Sequence, residues 1–510
     1  MKALDLAIIF GYLIGIVLFG TWFARKQKTT SDYFLGDRSV PWWAVAASIV
    51  ATETSTITFV SVPGIAFSRG GNFQFLQLVF GYLLGRIVIA LLFIPSYFRG
   101  ELLTVYQLLD RRFGGRIKVL AASLFVIMRN IADGIRLLLT AIVLAAVYTS
   151  FQPGANAEVI IVASVVLIGV AMIVFTYFGG MEAVIWVEVI QLGIYIVGAI
   201  AAAIILTNSI AGGWSAAVAT ASLYNKFSLF DFSFDITKTF TFWAGLIGGC
   251  FLTMSTHGTD QYLVQRYLCT DRPRRAAAAL LTSGAIVLGQ FIGFLFIGVL
   301  LFAFYHPFTD SGYASAAVAS YPFSGGDRVF PDFITRHLPT GLSGLVVAAI
   351  LAAAMSSSLN SIAATAVNDL YKPLRPRMHD KHYLKVSHVL TLLWGVVQIT
   401  VALTLRNKNR SALDLALSIA SLINGPILGA FLVGTFLKRV SQTPALIGML
   451  VSLATMLYIY FATRIAWTWY VFIGSIITFV VAGLASFGFA PASKIRRNQL
   501  APQAGPEAAD

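Results

Sequence analysis

Charge is what this sequence has least of. Only 11% of its residues are Asp, Glu, Lys or Arg, where a soluble globule carries about 25%. With 58% hydrophobic residues and 39 Phe against 22 acidic residues, its polar groups could not cover a water-facing surface. That shortage excludes a soluble enzyme, a nucleic-acid-binding domain and a disordered chain. Cysteine is nearly absent as well. Cys250 and Cys269 lie in or beside one apolar segment and make neither a disulfide framework nor a metal spacing. Strict polar–apolar alternation is missing too, which excludes a membrane-spanning barrel and leaves helices.

Long apolar runs are what the sequence does have. Thirteen segments, each near the roughly 20 residues that cross a bilayer, fall at 4–23, 42–68, 73–98, 117–149, 158–178, 182–207, 239–264, 276–305, 341–371, 384–405, 412–437, 443–463 and 465–490. The expectation is an all-α polytopic membrane protein of about 13 transmembrane helices, with the lipid bilayer as its solvent. The net charge of +14 then reads as loop charge rather than as a nucleic-acid footprint. With the N-terminus outside, 23 of the 36 Lys and Arg fall in or beside inside loops and 10 outside, while Arg86, Arg129 and Arg136 lie within spans. This bias predicts an N-out, C-in protein of the cell (inner or plasma) membrane. The first run carries its charge after the apolar stretch, at Arg25, Lys26 and Lys28, so a retained span is expected in place of a signal peptide. The Pro-, Ala- and charge-rich 491–510 reads as a disordered cytoplasmic tail, and no soluble catalytic or sensor domain is expected.

Function is sought in polar residues at mid-membrane. Ala51-Thr52-Glu53-Thr54-Ser55-Thr56-Ile57-Thr58 gathers six polar side chains in one span and is followed by Pro63-Gly64. Such a helix is expected to unwind and turn carbonyls toward a cation. Some 200 residues on, Gly248-Gly249-Cys250 leads into Thr253 to Gln261, including Thr256, His257 and Asp260. Two interrupted segments at matching places in two halves point to a transporter site. A third stretch, Ala352 to Ser361, sets a run of alanines before Ser356, Ser357 and Ser358, hard oxygen donors suited to a small hard cation. Arg129, Asp133 and Arg136 share one helix face, either as a self-paired network or with one arginine turned to a substrate carboxylate. Glu188 is an isolated intramembrane acid and a candidate second cation or proton site. Glu53 is a candidate to pair with Arg129 or Arg136, to bind substrate hydroxyls or to carry a proton.

Laid out this way, the chain resembles the sodium:solute symporter family. The likeness is carried by Thr176-Tyr177-Phe178-Gly179-Gly180-Met181-Glu182-Ala183-Val184 with Glu188 and Gln191, by Thr259-Asp260-Gln261 with Gln265-Arg266-Tyr267-Leu268, by Ala353 to Ser361 with Asn368-Asp369-Leu370-Tyr371-Lys372, and by Phe98-Arg99 to Arg112-Phe113-Gly114. The resemblance implies a single transporter domain, 1–490, with a LeuT-type 5+5 inverted repeat. In it 42–207 and 239–437 are the two repeats, and 4–23 and 443–490 are accessory helices. It implies a sodium ion held by the backbone carbonyls of Ala51, Thr54 and Ala353 and the hydroxyls of Ser356 and Ser357. It also implies a solute site lined by Ser55, Thr58, Phe73 and Gln77, with Arg129 or Arg136 meeting a carboxylate. Val187 and Ala353 lack hydroxyls that relatives with a second sodium use, which favours one sodium per solute.

The expected activity is sodium-coupled import of a small organic solute (a sugar, sialic acid, monocarboxylate or similar) by alternating access, without an obligatory protein partner. A proton-coupled or sodium-independent carrier of the same fold, using Glu53 or Glu188, is the alternative. A membrane-embedded enzyme is a remote one, since His257 and Asp260 are the nearest approach to a catalytic pair.

Overall fold

The computed structural model describes residues 2–23, 28–99, 102–152, 154–305, 326, 329–355, 358–406 and 412–489, and among these all regular structure is helical. Each of the thirteen apolar segments contains helix, though not always as one unbroken rod. Among the described residues, eight helices are long and apolar enough to cross a bilayer, and Trp42–Glu53 joined to the helix after it across a 56° bend makes nine. The remaining four segments are hidden by local geometry. The 53-residue helix Ala157–Ser209, counted once above, hides one of them, because it contains both 158–178 and 182–207, joined at Gly180 with φ 61° and ψ −167°. Only a residue without Cβ adopts that backbone readily, so the Gly179-Gly180 pair marks the boundary. The 73–98 segment narrows to Leu76–Leu92, with a separate turn at Ile94–Tyr97 that carries Pro95 at its start. The last two, 239–264 and 341–371, are interrupted helices.

The first interruption lies where the hydroxyl-rich run predicts it. Trp42–Glu53 ends at Thr54 (φ −80°, ψ 53°), and extended Ser55 leads into Thr56–Phe67. Thr52 and Thr54 donate back to the carbonyls of Ser48 and Val50, each at 2.7 Å, and Thr58 reaches the Glu53 carbonyl at 2.7 Å across the gap. Hydroxyls here replace the ladder that the backbone gives up.

The second differs from expectation. Gly248-Gly249 was expected to break the helix. Instead a π-helical turn, Ala244–Gly248, runs directly into Gly249–Gly258, and the break comes at Thr259 and Asp260. Asp260 then accepts from the Tyr262 amide at 2.8 Å and caps Gln261–Leu268. The glycines serve close packing: a Cβ at Gly249 would stand 2.6 Å from the Leu78 carbonyl oxygen, and one at Gly245 would stand 2.5 Å from the Gln77 carbonyl carbon. Small residues let this helix lie against Leu76–Leu92 at backbone distance.

In 341–371 the described helices are Leu342–Met355 and Leu359–Thr365, the second starting after a non-helical Ser358, with 356–357 outside the described residues, and a second π-helical stretch, Ala366–Tyr371, follows. The tail 491–510 lies outside the described residues.

Candidate functional site

The broken helix sets Ala51, Glu53, Thr54, Ser55 and Thr58 around one gap. The end of Trp42–Glu53 leaves last-turn carbonyls, Ala51 and Thr54 among them, beyond the reach of an intrahelical donor. The Thr54 hydroxyl lies 2.6 Å from Gln290 Oε1 and 2.7 Å from the Val50 carbonyl, and its one proton is shared between them. Ala353 is buried in Leu342–Met355, which packs against Thr56–Phe67. Tyr195 joins the two: its ring stacks on Phe59 at 4.7 Å and its hydroxyl donates to the Ala349 carbonyl at 3.1 Å. Ser356 and Ser357 lie outside the described residues.

Glu53 pairs with neither arginine expected of it. Its Oε1 accepts from Arg86, an arginine of Leu76–Leu92 that the sequence reading left without a role, and from His257 Nε2 at 3.1 Å. With Nε2 donating, Nδ1 accepts from the Tyr267 hydroxyl at 2.7 Å. The signal was available in the sequence, because an arginine within an apolar span must find a counter-charge.

Glu188 is also paired. Arg266 Nη2 reaches its Oε1 at 2.6 Å, and Ser48 and Thr52 of the first broken helix donate to the same carboxylate, Thr52 at 3.0 Å. Both side chains are without solvent exposure. Arg266 stands next to a loop and reads from the sequence as loop charge, whereas Arg86 lies within a span.

Arg129 and Arg136 belong to a network with Asp133 and Asp260. Arg136 Nη1 lies 3.6 Å from Asp133 and donates to the Tyr262 hydroxyl at 3.2 Å. Arg129 is held more loosely, 3.5 Å from Asp260 and 4.0 Å from Asp133. Arg129, Arg136 and Arg266 gather on the Tyr262 ring, at 4.0, 5.8 and 4.5 Å from its centroid. Asp133 Oδ2 accepts from both the amide (3.0 Å) and the hydroxyl of Ser358. Three carboxylates, Asp133, Asp260 and Glu188, thus face three guanidinium groups. Neutrality is what permits so much charge in a low-dielectric interior. The network runs from Thr52, beside Ala51, to Ser358, the residue after Ser357, and so ties together the two segments in which the sodium ligands were placed.

The remaining expected residues lie elsewhere or face their own helix. Phe73 packs edge-on to Phe227 and Phe296 at 5.6 and 5.0 Å. Gln77 donates to the Phe240 carbonyl at 3.2 Å and accepts from the Asp231 amide at 3.0 Å, so its amide clasps the segment leading into the Gly-rich helix. Thr256 donates back to the Leu252 carbonyl at 3.1 Å. Ser55 is partly exposed at the gap.

Helical spans that break at mid-membrane, with hydroxyls and compensated charges gathered at the breaks, define a secondary active transporter. The sequence pattern of the sodium:solute symporter family matches residues 33–452. A sodium/sialic acid symporter of Aliivibrio fischeri is 31% identical over 488 residues, 95% of this chain and 93% of that protein. One of Proteus mirabilis is 29% identical over 506 residues, 96% of each. A sodium-dependent multivitamin transporter of Oryctolagus cuniculus is 29% identical, covering 94% of this chain and 71% of its own. Among solved structures, a Na+-coupled sialic acid symporter in a substrate-bound outward-open state superposes with TM-score 0.83 at 29% identity, over 96% of this chain and 99% of that one. The nucleobase-cation symporter Mhp1, at 14% identity and TM-score 0.52, shares the fold alone.

The chain belongs to the sodium:solute symporter family. It is a membrane-embedded, sodium-coupled secondary symporter of LeuT-type fold that carries a small organic solute by alternating access, and it is not an enzyme.

Proposed function

We propose that this symporter imports a sialic acid or a closely similar carboxylate-bearing solute with one sodium ion. The observation that carries the reading is the gap after Glu53, where last-turn carbonyls lose their ladder partners at mid-membrane. Ala51 and Thr54 on that side, with Ala353, Ser356 and Ser357 on the other, are the proposed ligands. The carbonyl-and-hydroxyl donor set suits a hard monovalent cation, and the Thr52-to-Ser358 network holds the two sides in register. Sodium binding would order the gap and favour the outward-open state, and the solute would then close the outer side.

The solute class is supported by the two sialic acid relatives and by the looseness of Arg129. Arg129 meets its carboxylates only at 3.5 and 4.0 Å and rests on the face of the Tyr262 ring, weaker holds for a substrate carboxylate to displace than the 3.2 Å hydrogen bond that Arg136 gives the Tyr262 hydroxyl. We assign Arg129 the carboxylate, with Ser55 and Thr58 at the gap and Phe73 and Gln77 on the wall. Glu53, Thr256 and Asp260 act as supports of that site.

One sodium is supported by the charge pairing. Glu188, the candidate for a second cation, already carries Arg266 as a tethered counter-ion, and Glu53 carries Arg86. The same pairing argues against proton coupling, which needs an acid free to change its charge. One ion is sufficient: a tenfold gradient and 100 mV together supply about 3.7 kcal/mol, roughly 500-fold accumulation. We place the N-terminus outside and the C-terminus in the cytoplasm from the Lys and Arg bias of the loops, and, in keeping with the LeuT-type fold, 42–207 and 239–437 as the inverted repeats of one domain. Uptake of radiolabelled sialic acid into proteoliposomes tests the reading. Accumulation driven by inward sodium and blocked by unlabelled sialic acid supports it. Sodium-driven uptake of a neutral sugar, with no competition from sialic acid, overturns the solute assignment.

A further inference from the structure

A cleft of about 580 Å³ separates the later half of Ala157–Ser209 from Pro273–Tyr305, two helices that span the membrane. Its mouth is edged by Ile200 and Ile204, which are exposed, and by Gly289 and Gly293, where a Cβ would meet no atom within 4 Å. Its inner wall bears on the sodium gap from three sides. Gln290 accepts from the Thr54 hydroxyl at 2.6 Å. Phe294 meets the Phe59 ring edge-on at 5.3 Å, just after the gap. Tyr195 stacks on the other side of Phe59 and holds the Ala349 carbonyl of the alanine-rich helix.

The lining fixes the chemistry of the occupant. Aliphatic and aromatic side chains make up the depth of the cleft, so water would find too few polar partners there. Polar groups collect at one end, where Thr207, Asn208 and Trp214 stand as the helix leaves its spanning stretch. Tryptophan and amide side chains suit the level of lipid headgroups. The exposed isoleucines make the mouth continuous with the surface that faces the bilayer. An amphiphile with a long apolar chain and a polar head matches this gradient, and the bilayer supplies one.

We propose that this cleft binds one acyl chain of a membrane phospholipid, with its head beside Asn208 and Trp214, and that occupancy tunes sodium affinity through Gln290–Thr54 and Tyr195–Phe59. The coupling rests on the sodium site proposed above, whereas the lipid site stands without it. A chain in the cleft backs the aromatic stack and keeps Gln290 against Thr54. Without it, the wall that shapes the gap loses its contact partners on one side.

Gly293→Leu tests this by blocking the cleft at its mouth, and Gly289→Leu does so one turn earlier should the first variant fail to fold. Native mass spectrometry of the full chain with palmitoyl-oleoyl phosphatidylcholine is expected to show one retained lipid on wild type, lost in the variant. Sodium midpoints are then read by thermal stabilisation in nanodiscs of that lipid and of diphytanoyl phosphatidylcholine, whose methyl-branched chains are broader than a palmitoyl chain and are expected to enter less well. Wild type is expected to differ about fivefold between the two lipids, and the variant not at all. Equal lipid retention by both proteins overturns the site. Equal wild-type midpoints in the two lipids overturn the coupling. Absence of any sodium response removes the coupling together with the sodium reading, while retention still decides the lipid site.

Discussion

The Glu188 carboxylate and the Arg266 guanidinium meet at 2.6 Å with neither side chain exposed. A pair so enclosed gives little net stability when intact, but either partner left alone is a bare charge in a medium that cannot solvate it. Glu188→Leu and Arg266→Leu should therefore each cost about 3–5 kcal/mol, and the double variant should recover a large part of the loss. Thermal midpoints of the three variants check this. A double variant as unstable as the sum of the singles would show that the two charges do not depend on each other.

The same pair bears on stoichiometry. With Arg266 serving Glu188 as a built-in counter-ion, one sodium should enter per solute. Paired sodium and solute fluxes into proteoliposomes should give a ratio near one, and a ratio of two would show that a second cation is accommodated despite Arg266.

Glu53 provides a separate test. Glu53→Gln leaves the Arg86 charge without a counter-ion and reduces the acceptor of His257 Nε2 to a neutral amide oxygen, so the thermal midpoint should fall by an amount equivalent to about 3 kcal/mol or more. Uptake by the surviving protein should still require sodium and should move no protons. Uptake by the variant that runs without sodium would mean that Glu53 is the coupling residue.

Most of the spans were legible in the sequence because their cause is local: a run of apolar residues in lipid must be a helix. The first break was legible for the same reason, since Thr52 to Thr58 offers hydroxyls to its own backbone. The second break was misplaced because glycine has two uses. At Gly245 and Gly249 it admits a neighbouring backbone, a tertiary fact, while the true break at Asp260 is an N-cap whose side chain looked like a site residue. Charge partners were the least legible part. Arg86 lies 33 residues from Glu53 and Arg266 lies 78 from Glu188, and nothing in the spacing says which charges meet.

Lys226, outside the spanning segments, yields a pH prediction. Its ammonium donates to the Ala66, Phe67 and Ser68 carbonyls at 2.9, 3.1 and 2.7 Å and lies 4.2 Å from the Phe302 ring centroid. Burial pushes its pKa down to about 7. The unfolded chain keeps that proton until about pH 10. Across the interval the unfolded state thus binds more protons, and stability rises with pH. Relative to Lys226→Met, the wild-type thermal midpoint should climb between about pH 7 and 9. A difference that stays constant over that range would contradict the assignment.

The central claim is a sodium ion bridging the gap after Glu53 and the alanine–serine helix. Thermal unfolding against sodium, with potassium and choline at equal ionic strength, tests it most directly in wild type and Ser357→Ala. The account predicts stabilisation by sodium alone, present in wild type and lost in the variant. Equal stabilisation by all three cations, or a sodium response that survives in Ser357→Ala, would contradict it.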